Sequence, residues 1–210
     1  MYPIELSVAE NDISAFVLAG GKSRRMGCDK AQIPWNNAEQ NATLLSHAID
    51  RLRFVTSRVF VVGEIEIGDA AVEVLPDLIP GNGPLGGIHT ALSSTETPWN
   101  IVLGVDLPLI SAAFLHFMAG ICRLERHKKV IVPRINDGFQ PLSAAYHRDF
   151  LPVCAAAMAR KQLSIHDLFR NTPTRIMEED EIRDAGYSAE SFLNVNTPAD
   201  LARAESLAGR

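Results

Sequence analysis

The stretch LAGGKSRRMGCDK, Leu18 to Lys30, sets two adjacent glycines, Gly20 and Gly21, behind an apolar run and follows them with Lys22, Arg24, Arg25 and Lys30. Small residues let backbone N–H groups approach a ligand without obstruction from a Cβ atom. Arginine and lysine add charge and directed donors. Four cations in nine positions, in a chain whose formal net charge is −5, mark a local anion site rather than a general basic field. Two common phosphate loops are excluded. The Walker loop requires a glycine five residues ahead of the glycine in Gly-Lys-Ser, where this chain has Phe16. The dinucleotide fingerprint requires glycine at the position of Lys22.

Three other groups have the chemistry to join such a site. In VLPDLIPGNGPLGGI (Val74 to Ile88), Asp77 precedes a glycine–proline turn at Gly83. It reads either as a ligand contact or as an acid of the turn before Pro80. In VLGVDLPLI (Val102 to Ile110), Asp106 ends an apolar run. A carboxylate there is costly to bury unless it meets a cation. Mg²⁺ shared with triphosphate oxygens would supply one; capping of a helix after Pro108 is the plain alternative. In FLNVNTPADL (Phe192 to Leu201), Asn194 and Asn196 are two apart and share a face if the chain is extended. Paired amides suit the donor and acceptor edges of a polar heterocycle, although Asn196 and Thr197 equally suit the cap of a last helix. The six histidines form no HExxH spacing, there is no GxSxG, and Cys28, Cys122 and Cys154 form no CxxC, so zinc and a disulfide framework are not indicated.

These segments resemble the signatures of nucleotidyltransferases with a GT-A-like fold. The Gly-Gly and Arg-Met-Gly form of the first loop is similar to that of the molybdenum cofactor guanylyltransferases, whereas relatives acting on CTP usually carry LAAG. The resemblance runs from Ile13 to about Leu207. It implies transfer of GMP from GTP to the terminal phosphate of molybdopterin, with Mg²⁺ as cofactor and pyrophosphate as the second product. It places Leu18, Ala19, Gly20, Gly21, Lys22, Lys30, Asp77 and Asp106 against the nucleotide. Arg25, Lys30 and Asp106 would act on the triphosphate, with Asp106 as metal ligand. Gly83, Asn194 and Asn196 would face the acceptor.

The chain departs from the family pattern in three places. Gly63 and Glu64 stand where an asparagine is common, Gln140-Pro141-Leu142 replaces a His-Pro-Thr-like tripeptide, and the insert Asn36 to Ala42 is longer than usual. Rival readings are CTP with molybdopterin, a nucleoside triphosphate with a sugar phosphate, or a binding module without catalysis. The partners implied are GTP and molybdopterin, with transient contact to proteins that supply molybdopterin or mature molybdoenzymes.

The elements that must hold these residues follow from periodicity. Apolar runs at 13–20, 58–63, 72–76 and 100–106 read as buried strands, and 43–55, 83–94 and 111–124 as helices between them. That alternation predicts a single three-layer α/β/α domain with a mostly parallel, Rossmann-like sheet. The second half reads as mixed: strands at 129–133, 142–147 and 174–177, helical pieces near 149–160 and 164–170, then a strand and a final helix started by Thr-Pro-Ala-Asp. Residues 1–12 read as a tail, 13–110 as the nucleotide half and 111–207 as the acceptor half. The 210 residues are 47% hydrophobic, and no stretch approaches the ~20 apolar residues of a membrane span. An apolar signal core is absent from the first residues, and the acidic balance argues against nucleic acid. A cytoplasmic protein is the expectation.

Overall fold

Strand β1 (Ile13–Leu18) is buried at every position, as a strand covered on both faces must be. Its alternate side chains enter two separate cores. Ile13, Ala15 and Val17 point to one, Phe16 and Leu18 to the other. The computed structural model describes residues 12–20, 29–35 and 42–209, and in it β1 lies between β2 (Val59–Val62) and β4 (Trp99–Gly104), parallel to both. Strand β3 (Glu73–Leu75) extends the sheet beyond β2 in the same direction.

Beyond β4 the sheet becomes mixed. β7 (Ser143–His147) runs antiparallel to both β4 and β5 (Val130–Ile135), and β8 (Thr174–Glu178) pairs with β5 in parallel. With the two-residue strand β6 (Gly138–Phe139), the order is β3-β2-β1-β4-β7-β5-β6. Helices α1 (Leu44–Arg53) and α3 (Ala112–Leu124) cover one face; α2 (Gly83–Ser93), α4 (Leu151–Ala159) and α5 (Ile165–Arg170) cover the other. The three layers and the mostly parallel first half match the sequence expectation. Strands from both halves of the chain share the one sheet.

Three segments differ from the periodicity reading. The turn-rich RINDGFQP closes as a two-residue hairpin, because Asn136 and Asp137 both adopt positive φ (48° and 61°) and β6 then pairs back on β5. The acidic run forms a short helix, α6 (Glu179–Asp184), pinned by buried Ile182. The strand expected before the last helix is not formed. A 3-10 turn (Ala189–Phe192) leads instead into an extended segment outside the sheet. Phe192 packs edge-on to Phe114, with ring centroids 5.2 Å apart, and Val195 is fully buried. The buried positions are three apart, so the segment lies over the core rather than in the sheet.

At the end of the sheet opposite the candidate site, buried Asn100 ties β4 to its neighbours. Its Oδ1 accepts from the Thr95 and Thr97 hydroxyls at 2.8 and 3.1 Å, and its amide donates to the carbonyls of Thr97 and Tyr146 at 3.3 and 3.4 Å. Removing one partner of such a network leaves the others desolvated. Asn100→Ala is expected to lose about 2 kcal/mol of stability, read as a lower urea midpoint at unchanged slope.

Candidate active site

The sheet order reverses between β1 and β4. The chain passes from β1 outward through β2 to β3, then returns to place β4 on the other side of β1. In open α/β sheets the crevice beyond the carboxyl ends of the strands at such a point is where ligands bind. Ala19 and Gly20 leave β1 there, and Val105 and Asp106 leave β4 beside them. The Val105 N–H donates to the Leu18 carbonyl at 3.2 Å, and the Ala19 N–H donates to Val62 at 3.0 Å.

Lys30 reaches this crevice from a 3-10 turn (Lys30–Gln32) whose start is capped by the Asp29 side chain, accepting from the Ala31 N–H. Its ammonium donates to Asp106 Oδ2 at 3.2 Å and to Asn196 Oδ1 at 2.7 Å. Residues 30, 106 and 196 therefore meet at one point. The pair is partly covered, with 17% of the Lys30 side chain and 20% of the Asp106 side chain exposed. Asp106 does not cap a helix, because α3 is capped by Ser111.

Asn196 does not cap one either. Thr197 is the N-cap of α7 (Pro198–Ala208), in a reciprocal capping box with Asp200, and Pro198 occupies the first turn. The Asp200 carboxylate also accepts the Asn196 N–H at 3.1 Å, which anchors the backbone while leaving the amide side chain for Lys30. Asn194 and Asn196 are exposed on either side of buried Val195, so they share a face as the two-residue spacing requires. The Val195 N–H donates to the Asp106 carbonyl at 2.8 Å, tying this segment to the end of β4.

Asp77 follows β3. Its Oδ1 accepts the Ile79 N–H at 3.0 Å and the Thr90 hydroxyl at 3.2 Å, so the turn reading describes this oxygen. Oδ2 makes no hydrogen bond among the described residues. Gly83 opens α2 with φ +57°, and a methyl group there would meet nothing within 4 Å; backbone conformation selects this glycine. Among the described residues no hydrogen bond joins Asp77 or Gly83 to Lys30, Asp106 or Asn196. Gly21, Lys22 and Arg25 lie outside the described residues.

Two glycines to which the sequence motifs assign no role also border the site. Gly63 ends β2 at φ +153°, and a methyl group on it would stand 3.2 Å from the Gly20 nitrogen. Gly104 ends β4, beneath the Asp106 carboxylate. Each interrupts or ends a strand-like run, which is the sequence signal for close approach of another group.

The donor set bears on a metal. Among the described residues no three His, Cys, Asp or Glu side chains cluster as a cage. One carboxylate at a ligand crevice fits Mg²⁺, which keeps several waters and is commonly completed by substrate phosphates. It does not fit a structural zinc.

A strand-end crevice at the sheet's reversal point, with a lysine, a carboxylate and an amide converging on it, is a ligand site of an open α/β sheet, and the family match gives its class as nucleotidyltransferase. The description of the MobA-like NTP transferase domain matches residues 15–176, and the chain belongs to that family. It is 31% identical to a probable molybdenum cofactor guanylyltransferase of Flavobacterium johnsoniae over 90% of this chain and 94% of that protein. It is also 31% identical to a probable molybdenum cofactor guanylyltransferase of Deinococcus radiodurans, over 94% of this chain and 95% of that one. The crystal structure of molybdopterin-guanine dinucleotide biosynthesis protein A from Archaeoglobus fulgidus superposes with a TM-score of 0.79 at 22% identity, covering 93% of this chain and 98% of that one. No helix among the described residues is long and apolar enough to cross a membrane.

The loop after Asp106 leans on a buried histidine of α1. His47 Nε2 sits 2.8 Å from Arg51 Nε and 3.0 Å from the Pro108 carbonyl, with the Trp35 ring 5.4 Å away. Burial, then the Arg51 charge, hold its pKa below the ordinary value of 6.5. The unfolded chain therefore binds this proton at a higher pH than the native one does. The corresponding stability is present at neutral pH and is lost as pH falls below about 6.5. The urea midpoint of the wild type is expected to drop between pH 7.5 and 5.5, and His47→Gln to show a shallower drop across the same interval.

Proposed function

We propose that the protein transfers GMP from GTP to the terminal phosphate of molybdopterin, forming the guanine dinucleotide cofactor and pyrophosphate. The observation that carries this reading is the convergence of Lys30, Asp106 and Asn196 at the strand-end crevice. It joins the candidate nucleotide, metal and acceptor residues in a chain of the MobA-like family. The relatives' names supply the choice of GTP and molybdopterin.

In the reaction an oxygen of the acceptor's terminal phosphate attacks the α-phosphorus of GTP. A new P–O bond forms, the bond from the α-phosphorus to the bridging oxygen breaks, and pyrophosphate leaves with that electron pair. Phosphorus chemistry of this kind asks the protein for alignment and charge stabilisation rather than a covalent intermediate. The backbone of Leu18, Ala19, Gly20 and Gly21 receives the nucleotide, with Asp77 toward the guanosine. Arg25 and Lys22 place positive charge on the triphosphate, and Lys30 turns from Asp106 to the α-phosphate as substrate arrives. Asp106 would hold Mg²⁺, which would supply neutralisation of the charge developing on the phosphate oxygens. Asn194 and Asn196, with Gly83, receive the pterin side. On this reading 13–110 is the nucleotide half and 111–207 the acceptor half, with Gly83 reaching the acceptor from the first.

Pyrophosphate release with GTP, Mg²⁺ and molybdopterin tests the reaction directly. Asp106→Ala is expected to lose about 10³-fold or more in kcat, and retention of near-normal turnover would reject its role. Base choice is read separately by thermal shift, since at a fixed concentration the ligand that binds the folded protein more tightly raises apparent stability more. GTP is expected to raise Tm by several degrees where CTP, ATP and UTP do not; a larger shift with CTP would overturn the guanylyl assignment.

A further inference from the structure

We propose that Gly104 is a positioning residue for Asp106: the bare Cα at the end of β4 is the seat that aims the carboxylate into the crevice. A methyl group on Gly104 would stand 2.7 Å from Asp106 Oδ1, closer than non-bonded atoms come to rest, and 3.2 Å from Leu142 Cβ on its other side. The backbone at Gly104 cannot move aside to make room. Its N–H donates to the Leu142 carbonyl at 2.7 Å, its carbonyl accepts from Leu107 at 3.2 Å, and the next N–H is committed to Leu18. Nor does backbone conformation select a glycine here, since Gly104 is not among the residues with positive φ. Space is the reason, and the Asp106 carboxylate fills it.

The two carboxylate oxygens have different surroundings. Oδ1 lies against the Gly104 backbone and Oδ2 faces Lys30. Other glycines of the site differ. A methyl on Gly20 or Gly83 would meet nothing within 4 Å, and one on Gly63 would press on backbone rather than on a side chain of the site. With a methyl at 104, the backbone and the Leu142 Cβ are fixed by the sheet, so the free end of Asp106 must rotate away. The carboxylate would remain in the protein but off its bearing.

This inference rests on the reading of Asp106 as the metal carboxylate, and the test separates the two. Binding of Mn²⁺ to the protein without nucleotide is measured by loss of the free-ion electron paramagnetic resonance signal, for wild type, Gly104→Ala and Asp106→Asn. Gly104→Ala is expected to weaken Mn²⁺ binding by about tenfold, the scale seen when a ligand's support is removed, and Asp106→Asn by more. If Asp106→Asn binds Mn²⁺ like wild type, the metal reading fails. If Asp106→Asn is weakened and Gly104→Ala is not, the positioning inference fails while the metal reading stands. A stability cycle provides the second readout. Gly104→Ala is expected to lower Tm clearly in the wild type and by less than half as much in Asp106→Ala, where the colliding carboxylate is gone. An equal drop in both backgrounds, including failure of both to fold, would overturn the proposal.

Discussion

The site depends on the parallel contact between β1 and β4. These two strands are neighbours in space but separated in sequence by two strands and two helices, and their pairing runs the full length of both, from Ile13 opposite Trp99 to Leu18 opposite Gly104. Because they point the same way, their carboxyl ends open on one crevice. Because the chain leaves them in opposite directions across the sheet, no crossover among the described residues covers that crevice. The bond from Val105 to Leu18 carries the pairing one residue past β4 and fixes how far Asp106 stands from the glycine turn. Burial of both strands between helix layers makes this register costly to change, since a slip by one residue would turn each strand's side chains into the wrong core.

On that frame the polar residues meet by separate local devices. A one-turn 3-10 helix capped by Asp29 presents Lys30, a capping box at Thr197 presents Asn196, and the end of β4 presents Asp106. Each device satisfies its own backbone, which leaves the side chain uncommitted. That separation matters for Asn196 in particular: Thr197 and Asp200 do the capping, so the amide is not needed for the helix. The same segment is tied to β4 by the Val195–Asp106 backbone bond, so the Lys30–Asn196 contact is supported at both ends.

Much of this is legible in the residues. The buried strands announce themselves as apolar runs, and α1, α2 and α3 by their periodicity and caps. What is lost is whatever depends on tertiary contact. Leu193 and Val195 alternate with the two asparagines like a strand, yet Phe192 and Val195 are the buried residues, Leu193 only partly so, and among the described residues no strand pairs with the segment. Asn136-Asp137 reads as a loop because two consecutive positive φ angles are not a pattern of polarity. Gly104 lies in an apolar run as if it were a weak strand residue. Its meaning appears only when the Asp106 carboxylate is seen folded back over it. The cationic loop, by contrast, is clear in sequence, and Lys22, Arg24 and Arg25 lie outside the described residues.

Charge balance explains why that loop is needed. Lys30 and Asp106 neutralise one another across 3.2 Å, so together they offer a polyanionic triphosphate no net attraction. On the proposed function, binding therefore requires positive charge from elsewhere, and the chain's overall charge of −5 supplies none at long range. On that reading a metal held by Asp106 would supply part of it, leaving the Lys30 ammonium for the phosphate. On the same reading Lys22, Arg24 and Arg25, which follow the glycines in the sequence, would supply the rest. On the proposed function the paired lysine and carboxylate, 3.2 Å apart in the free protein, would separate into two working charges when substrate enters.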